Sequence, residues 1–485
     1  MAFIPYIISS FRGGTSDESD KGIPGSFKYG HGLDIHSRDD ILMCASNVVT
    51  VDSTTIGDLI QFLVPASDGS MYAFGSTGSI YSIAGQKDDP AVSFVYNDED
   101  GNILGAGEFQ DNTGISYMYW ATATQVSQRA MNSGEKAVPW TNVTANFKTD
   151  KISSSAVWHP MKAAMGQFNI GNAEGLATLT YAAAFDPFDL NIIPGNLINC
   201  LEERDDYLLI GSEKLDLSEE GHLWSWITTA TNWVQKKKLP IQGVNSLIDT
   251  ELKLAQGGDD GEIFFSDLLN SVPVAIVPGG GKTNPGGVTI HNDLAAFGFY
   301  GATYPGIWTY GRKHKNRPFA LNQSYRLAAT VAGSSVSSIG AVCEFNGQLF
   351  ASWGTTDGST SDYGLDAVST TTKVTQAVYE GLEFNGGNPH LSKPIDTIAL
   401  VFSPLVSGTS VSAKFKFDKE SAWRYGVLSD GSTTFSASNE VLALFSVGKP
   451  GRIFEVGAEL NASGSSTPEI QAIVSYSSKD TGLYG

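Results

Sequence analysis

The stretch Asp58–Gly85, DLIQFLVPASDGSMYAFGSTGSIYSIAG, decides the fold because it alternates short apolar runs with tight turns. Its three runs, Leu59–Val64, Met71–Phe74 and Ile80–Ile83, are rich in aliphatic and aromatic residues, and the triplets SDG and STG separate them. Runs of this length and composition predict strands, and glycine-containing turns between them predict hairpins. Three such strands in succession predict an antiparallel meander.

The same pattern recurs along the chain at a spacing of about 40 to 50 residues, which is the period of a propeller blade. A lone meander cannot bury both of its faces, so neighbouring copies must stack and the ring must close. We therefore predict an all-β protein with a β-propeller of six to seven blades at residues 33–372; a succession of β-sandwiches is the alternative. The stretch 155–190 fits the repeat least well and is interpreted as containing a short helix. Further copies lie at Ser93–Phe109 with Ser116–Val126, Leu197–Glu213 with Gly221–Val234, Ser246–Asp267, Gly287–Gly311 and Ser338–Val368.

The two ends of the chain depart from this pattern. Residues 11–32, FRGGTSDESDKGIPGSFKYGHG, are dense in Gly, Ser and Asp, which favours an extended N-terminal arm at 1–32 over a packed element. Near the other end, VSAKFKF at Val411–Phe417 alternates strictly, and several more strand-length runs surround it. This spacing of strands and turns predicts a C-terminal antiparallel β-sandwich at 373–485.

Composition limits the classes of function. The 485 residues include 51 acidic and 31 basic side chains, a formal net charge of -20. Such a chain repels phosphate backbones and anionic membrane surfaces, so we predict no specific nucleic-acid binding and no membrane insertion. An acidic wall would still suit a passage along which DNA slides without sticking. The N-terminal residues lack the basic region of a secretory signal, so assembly in a cytoplasm is expected.

No motif predicts catalysis, a metal or a cofactor. Cys44, Cys200 and Cys343 are far apart and odd in number, which favours buried free thiols. The glycine-rich run VPGGGKTNPGG at Val277–Gly287 resembles a phosphate loop, but Ile276 stands where a glycine is required, so an inter-blade turn is favoured. We predict a non-enzyme; a propeller-type glycosidase stays open because the spacing of its paired carboxylates depends on the fold.

Two groups of residues are candidates for binding. The basic cluster Arg312, Lys313, Lys315 and Arg317 is interpreted either as a docking site for a neighbouring subunit or as a solvated loop. Three tryptophans would stack on sugar rings if exposed, and would be blade packing if buried. These tryptophans are Trp224, Trp226 and Trp308.

Three stretches of the chain carry a resemblance to a known class of proteins: Phe11–Ser37, Pro394–Trp423 and Gly451–Tyr476. Together they resemble tailed-bacteriophage virion proteins that carry a β-propeller and a C-terminal β-sandwich. The likeness in layout spans nearly the whole chain, and motif similarity covers about a third of it. The resemblance implies a structural tail protein, with the nozzle or hub of the genome-ejection channel as the leading role and a receptor- or glycan-binding fibre component as the alternative. The resemblance further implies a homo-oligomer located in the virion, hexameric if a nozzle and trimeric if a fibre, that contacts adaptor and fibre proteins.

Overall fold

The fold is almost entirely β, as predicted from the repeated meanders. In the part of the chain that is described, one short helix, α1 (Ala328–Val331), interrupts the strands. No helix there is long and apolar enough to cross a membrane. The computed structural model describes residues 3–478 except 19, 21, 39, 100, 124, 132–137, 140–157, 215–219, 229, 302, 332, 334, 358–359, 386–389 and 391.

Seven strands precede the first repeat. Five of them, β2 to β6, have only two or three residues because glycine and aspartate turns interrupt this part of the sequence. The strands are β1 (Phe3–Ile8), β2 (Gly14–Thr15), β3 (Ser26–Phe27), β4 (Tyr29–His31), β5 (Leu33–Asp34), β6 (Met43–Cys44) and β7 (Ser46–Asp52).

Seven repeats follow within the described residues, and the first strand of each is the innermost. Blade 1 contains β8 (Ile60–Pro65), β9 (Met71–Gly75), β10 (Ser79–Gln86) and β11 (Asp89–Asn97). Blade 2 contains β12 (Gly105–Gln110), β13 (Ser116–Ala121), β14 (Val126–Ala130) and β15 (Val138–Pro139). Blade 3 contains β16 (Met161–Ala164), β17 (Gln167–Asn172), β18 (Gly175–Thr180) and β19 (Phe185–Asn191). Blade 4 contains β20 (Asn196–Arg204), β21 (Tyr207–Lys214), β22 (Gly221–Trp226) and β23 (Gln235–Leu239).

The three remaining repeats end at Lys373, and seven further strands follow them in the described residues. Blade 5 contains β24 (Val244–Asp249), β25 (Lys253–Gly257), β26 (Glu262–Ser266) and β27 (Ser271–Ile276). The sixth repeat gives β28 (Val288–His291), β29 (Leu294–Phe299), β30 (Gly306–Gly311) and β31 (Ala320–Tyr325). The seventh gives β32 (Val336–Phe345), β33 (Gln348–Asp357) and β34 (Thr360–Lys373). The last strands are β35 (Gln376–Glu380), β36 (Lys393–Phe402), β37 (Ser410–Phe417), β38 (Arg424–Tyr425), β39 (Leu442–Gly451), β40 (Phe454–Asn461) and β41 (Ile470–Ser478).

The chain divides into two compact units. The propeller unit comprises Val49–Ile307 and Leu327–Ala367. The sandwich unit comprises Met1–Val48, Trp308–Arg326 and Val368–Gly485, so it takes segments from three parts of the sequence. These limits differ from the predicted 1–32, 33–372 and 373–485, because strands from the N-terminal segment and from the sixth repeat pair within the sandwich.

The propeller unit is a closed ring of seven blades within the described residues. Each innermost strand lies beside the next, from β8 through β12, β16, β20, β24 and β28 to β32, and β32 returns beside β8. The last blade has the strand order β32-β33-β34-β7, so a strand from before the first repeat supplies its outer edge and closes the ring. The sheet β16–β19 at Met161–Asn191 is a regular blade, so the helix predicted within 155–190 is wrong for the described residues 158–190.

Neighbouring blades are held together by shared apolar clusters and by close backbone approach. Phe74 of blade 1 packs on Trp120 of blade 2 with ring centroids 6.2 Å apart, and both are almost fully buried. Burying one such side chain stabilises the fold by about 1.5 to 3 kcal/mol. At Gly340, an added Cβ would lie 1.9 Å from the carbonyl oxygen of Ile60, so only glycine permits this contact between blades 7 and 1.

The sandwich unit has two sheets facing one core. One sheet has the order β1-β41-β36-β39, and the strands of the other run β31-β4-β35-β40-β37-β38. Ile398 and Phe445 from the first sheet share a buried cluster with Tyr379, Phe415 and Val456 from the second. The predicted antiparallel β-sandwich is therefore present.

The N-terminal segment is extended, but it is built into the sandwich. β1 pairs with β41 from Phe3↔Ser478 to Ile8↔Ile473, and β4 pairs with both β31 and β35. Phe11 and Phe27 are buried, each with its ring centroid 5.3 Å from that of Tyr379. Polar turns make the segment look like a free arm in sequence, whereas its few aromatic side chains attach it to the core. This corrects the prediction of a separate arm.

Candidate functional site at the propeller axis

A cavity of about 560 Å³ lies at the axis of the propeller unit, and every one of the seven innermost strands contributes to its wall. The wall combines polar groups with apolar side chains such as Phe62, Leu201, Ile248, Val288 and Ile290. Its volume lies in the range of about 300 to 1,000 Å³ that is usual for binding sites. We call this cavity the axial chamber.

Two pairs of ionisable groups contribute to the wall of the axial chamber. Lys162 Nζ lies 3.1 Å from Glu202 Oε1, and His291 Nδ1 lies 2.7 Å from Glu344 Oε2. Burial raises the pKa of Glu202, and the ammonium group of Lys162 acts in the opposite direction. A charge held in a partly desolvated wall interacts strongly with a ligand, because solvent screens it less than at the surface.

A groove of about 480 Å³ lies where the innermost strands of blades 2 and 3, β12 and β16, end. Consecutive residues of β20 line the two cavities, Glu202 the chamber and Glu203 the groove. Ser67 N donates a hydrogen bond to Glu108 Oε2 at 2.9 Å, and Met165 N donates to Glu203 Oε1 at 2.9 Å. These backbone donors fix the two carboxylates at the groove wall.

The same end of the ring carries an acidic rim. The rim lies in the turns that follow the innermost strands, and its exposed members come from blades 1, 4, 5 and 6. Arg204 lies among them but is only 7% exposed, with its guanidinium 5.2 Å from the Tyr207 ring centroid. The solvent-facing charge of the rim is therefore predominantly negative. Its exposed carboxylates are Asp68, Asp205, Asp206, Glu251 and Asp293.

The three tryptophans proposed for glycan stacking are not available to a ligand. Trp224, Trp226 and Trp308 are fully buried. Trp224 Nε1 donates to Ser212 Oγ at 2.9 Å, and Trp226 Nε1 donates to the Ala230 carbonyl at 2.8 Å. Their rings are packed inside the protein, so the second of the two sequence interpretations, buried blade packing, applies to these tryptophans.

The predicted basic docking cluster does not act as one surface. Arg317 is buried and its Nη1 donates to the His36 carbonyl at 2.9 Å, so it fixes the loop within the sandwich unit. Arg312 Nη1 donates to the Lys315 carbonyl at 2.8 Å. Lys315 is exposed and Lys313 is half-buried, which leaves a smaller cationic surface than the sequence suggests.

The structure places the other sequence candidates in structural roles. All three cysteines are free and buried, and burial raises the pKa of Cys44 to about 11 and that of Cys343 to about 12. In the glycine-rich run, Thr283 N and Oγ1 both donate to Gln256 Oε1, at 3.0 and 2.9 Å. That run is the turn between β27 and β28. No group of three potential metal ligands occurs among the residues with described positions.

Sequence reasoning missed the axial chamber. Lys162, Glu202 and Glu344 come from three blades and are more than 140 residues apart at the extremes. One sequence feature could have indicated the chamber: an ionisable residue on an innermost strand that is otherwise apolar. A buried ionisable residue needs a charged partner or water, so it marks a polar cavity. Only closure of the ring brings these residues to one cavity.

Comparisons with known proteins add little beyond this description. No protein-family model matches the chain, and no curated protein matches it either. Among solved structures, the WD40 β-propeller domain of Doa1 aligns with a TM-score of 0.45 and 11% identity, over 66% of this chain and 96% of that one. A structure described as YCF48 bound to D1 peptide aligns with a TM-score of 0.44 and 11% identity, over 67% of this chain and 96% of that one. The assignment of a propeller rests on the closed ring itself.

Proposed function

We propose that this chain is a non-enzymatic structural component of a bacteriophage tail, acting in the virion as part of the nozzle or hub and assembling with copies of itself through its sandwich unit. Adaptor and fibre proteins of the tail would be its other partners. The resemblance of both chain ends to tail proteins motivates the proposal. The observation that carries the assembly step is an exposed apolar face on the sheet β1-β41-β36-β39.

The exposed aliphatic side chains of that face lie on its two edge strands, β1 and β39. Ile7 pairs with Val474, Val474 with Ala399, and Ala399 with Leu444, so these residues form one row, in which the small Ala399 side chain is buried. Ile7 is 55% exposed and Leu444 is 53% exposed. Leu442, two residues before Leu444 on the same face of β39, is 44% exposed. Large aliphatic side chains gathered on one sheet face favour association, because association removes their surface from water.

The size of the face suits a second copy of the chain. The strands are about 4.8 Å apart, and each residue extends a strand by about 3.3 Å; β1 has 6 residues, β41 has 9, and β36 and β39 have 10 each. The face therefore measures roughly 550 Å² for one copy and about 1,100 Å² for two, close to the lower limit of stable specific interfaces. A homo-oligomeric contact through this face is therefore large enough to persist.

The genome would pass through a ring of subunits and not through one propeller. A sphere of 560 Å³ is about 10 Å across, whereas the major groove of duplex DNA alone is about 12 Å wide. The net charge of -20 suits a wall lining such a ring, since it would repel phosphate.

Native mass spectrometry of the purified chain tests the assembly step. We expect a hexamer for a nozzle; a trimer would favour the fibre alternative, and a monomer would contradict both. Leu444→Asp should reduce the assembly to monomers by placing a charge in the interface. Val406→Asp is the matched control, because Val406 is 49% exposed in the same unit but lies outside these strands, and it should assemble normally.

Two measurements on intact material test the biological role. Cryo-electron microscopy of the virus particle should locate this chain in the tail with the copy number of the purified assembly. Its absence from purified particles would refute the proposal. Turnover of any polysaccharide in a substrate panel would contradict the non-enzymatic assignment and favour the glycosidase alternative.

A further inference from the structure

The axial chamber and its groove have no part in the proposed self-assembly. We propose that they bind an extended basic peptide segment of a partner protein, with an arginine or lysine side chain inserted into the axial chamber and the flanking residues lying in the groove. The inference goes beyond the tail assignment and depends only on the propeller unit.

The chamber suits a long cationic side chain. The apolar side chains of Phe62, Ile248 and Ile290 can pack on its aliphatic stem, and carboxylates of the wall can receive its charged head. Glu202 already has the ammonium of Lys162 as its partner. Glu344 instead pairs with a ring nitrogen of His291, and no lysine or arginine contacts its carboxylate among the described ion pairs. An added cation near Glu344 would thus gain an ionic partner without displacing Lys162.

The groove suits an extended main chain. Its wall includes the side-chain amides of Gln110 and Gln167 and the apolar side chain of Met165. The two amide nitrogens donate to the Gly114 carbonyl and to Asn169 Oδ1, so the amide oxygens are the atoms that can accept from the N–H groups of an extended peptide. Tyr181 is 48% exposed and stacks on Phe109 with centroids 5.0 Å apart. One exposed ring offers a contact for a peptide side chain, whereas a glycan site usually presents several rings.

The acidic rim selects the charge of the ligand. Carboxylates around the opening raise the local concentration of cationic segments and repel phosphates and anionic glycans. The exposed pair Asp205 and Asp206 follows β20, the strand that carries both Glu202 and Glu203. Neighbouring residues of the chain therefore contribute carboxylates to the chamber, the groove and the rim, and these carboxylates favour positive charge.

Selection from a bead-bound hexapeptide library tests the inference with the full-length chain. The library is randomised except at one central position, which is arginine, lysine, citrulline or glutamate in four separate pools. We expect retention on the arginine and lysine pools at least tenfold above the citrulline and glutamate pools. Equal retention on all four pools, or binding only to a panel of neutral oligosaccharides, would overturn the inference.

Variants then locate the binding site for the best peptide, measured by fluorescence anisotropy. Glu344→Gln should weaken binding at least tenfold by removing a chamber carboxylate, and Ala106→Leu should do so by filling the chamber, which Ala106 lines. Asp206→Lys should weaken binding several-fold and reduce its salt dependence. Glu99→Lys is the matched control, because Glu99 is exposed in a turn at the opposite end of the ring. Circular dichroism checks the fold of each variant.

Unchanged affinity in both Glu344→Gln and Ala106→Leu would refute insertion into the chamber. An equal loss in Asp206→Lys and Glu99→Lys would refute guidance by the rim. Neither result bears on the oligomeric state, so failure here is distinguishable from failure of the proposed tail function.

Discussion

Replacing Phe11 tests whether the N-terminal segment belongs to the sandwich core. Phe11 is 1% exposed and its ring meets that of Tyr379 edge-on, with centroids 5.3 Å apart and an interplanar angle of 90°. A buried Phe→Ala change costs about 3 to 5 kcal/mol, because it removes apolar contact and leaves a cavity. Phe11→Ala should therefore destabilise the sandwich unit by that amount, which is a factor of at least 100 in its unfolding equilibrium.

Urea unfolding followed by hydrogen exchange measures this effect in the relevant unit. With a slope of about 2 to 3 kcal/mol per molar urea, the loss corresponds to a midpoint lower by roughly 1 to 2 M. Exchange protection should fall along β41 and β36, which share the core with Phe11. Ile23→Ala is the matched control, since Ile23 lies in the same segment at 46% exposure and should change stability by less than about 0.5 kcal/mol.

An unchanged midpoint in Phe11→Ala would refute the placement of this segment in the core. It would restore the picture of a free arm, whose aromatic residues would be available to another subunit. Equal losses in Phe11→Ala and Ile23→Ala would also refute it, because burial could then not be the cause.

Three more predictions follow from the described contacts. Gly340→Ala should destabilise the propeller unit by at least about 2 kcal/mol in thermal unfolding, because its Cβ would lie 1.9 Å from the Ile60 carbonyl oxygen; a wild-type melting temperature would contradict the close approach. Burial lowers the pKa of His159 to about 4, whereas the pKa of a histidine in the unfolded chain is about 6.5. The neutral imidazole therefore contributes fully to stability above about pH 6.5, and the free energy of unfolding falls by about 3 kcal/mol as the pH is lowered toward 4. His159→Asn should flatten the pH dependence of urea unfolding in that window, and an unchanged slope would refute the assignment. Arg317→Gln should lower the melting temperature because it removes a buried donor, whereas Lys315→Gln should leave it unchanged; equal effects would show that the cluster is one solvated loop.

Local pattern was sufficient to predict the repeated meander and its period. The first repeat shows why, because its apolar runs and its SDG and STG turns specify strands and hairpins without help from distant residues. The same reasoning placed a helix in 155–190, where the apolar runs are weaker and interrupted by glycine. In this segment the apolar side chains are buried by the neighbouring blades, which its local sequence pattern does not reveal. Phe168, for example, is stacked on Phe109 of blade 2.

Most strands and turns, the repeat period and the overall negative charge can be predicted from the amino-acid sequence, because each depends on residues close together in the chain or on a sum over all of them. Three features emerge only in the folded chain: β7 closes the ring, Phe11 and Phe27 enter the sandwich core, and Lys162, Glu202 and Glu344 share one chamber. These outcomes depend on which distant surfaces bury one another. Burial is a cooperative property of the whole fold, and no local run of residues encodes it.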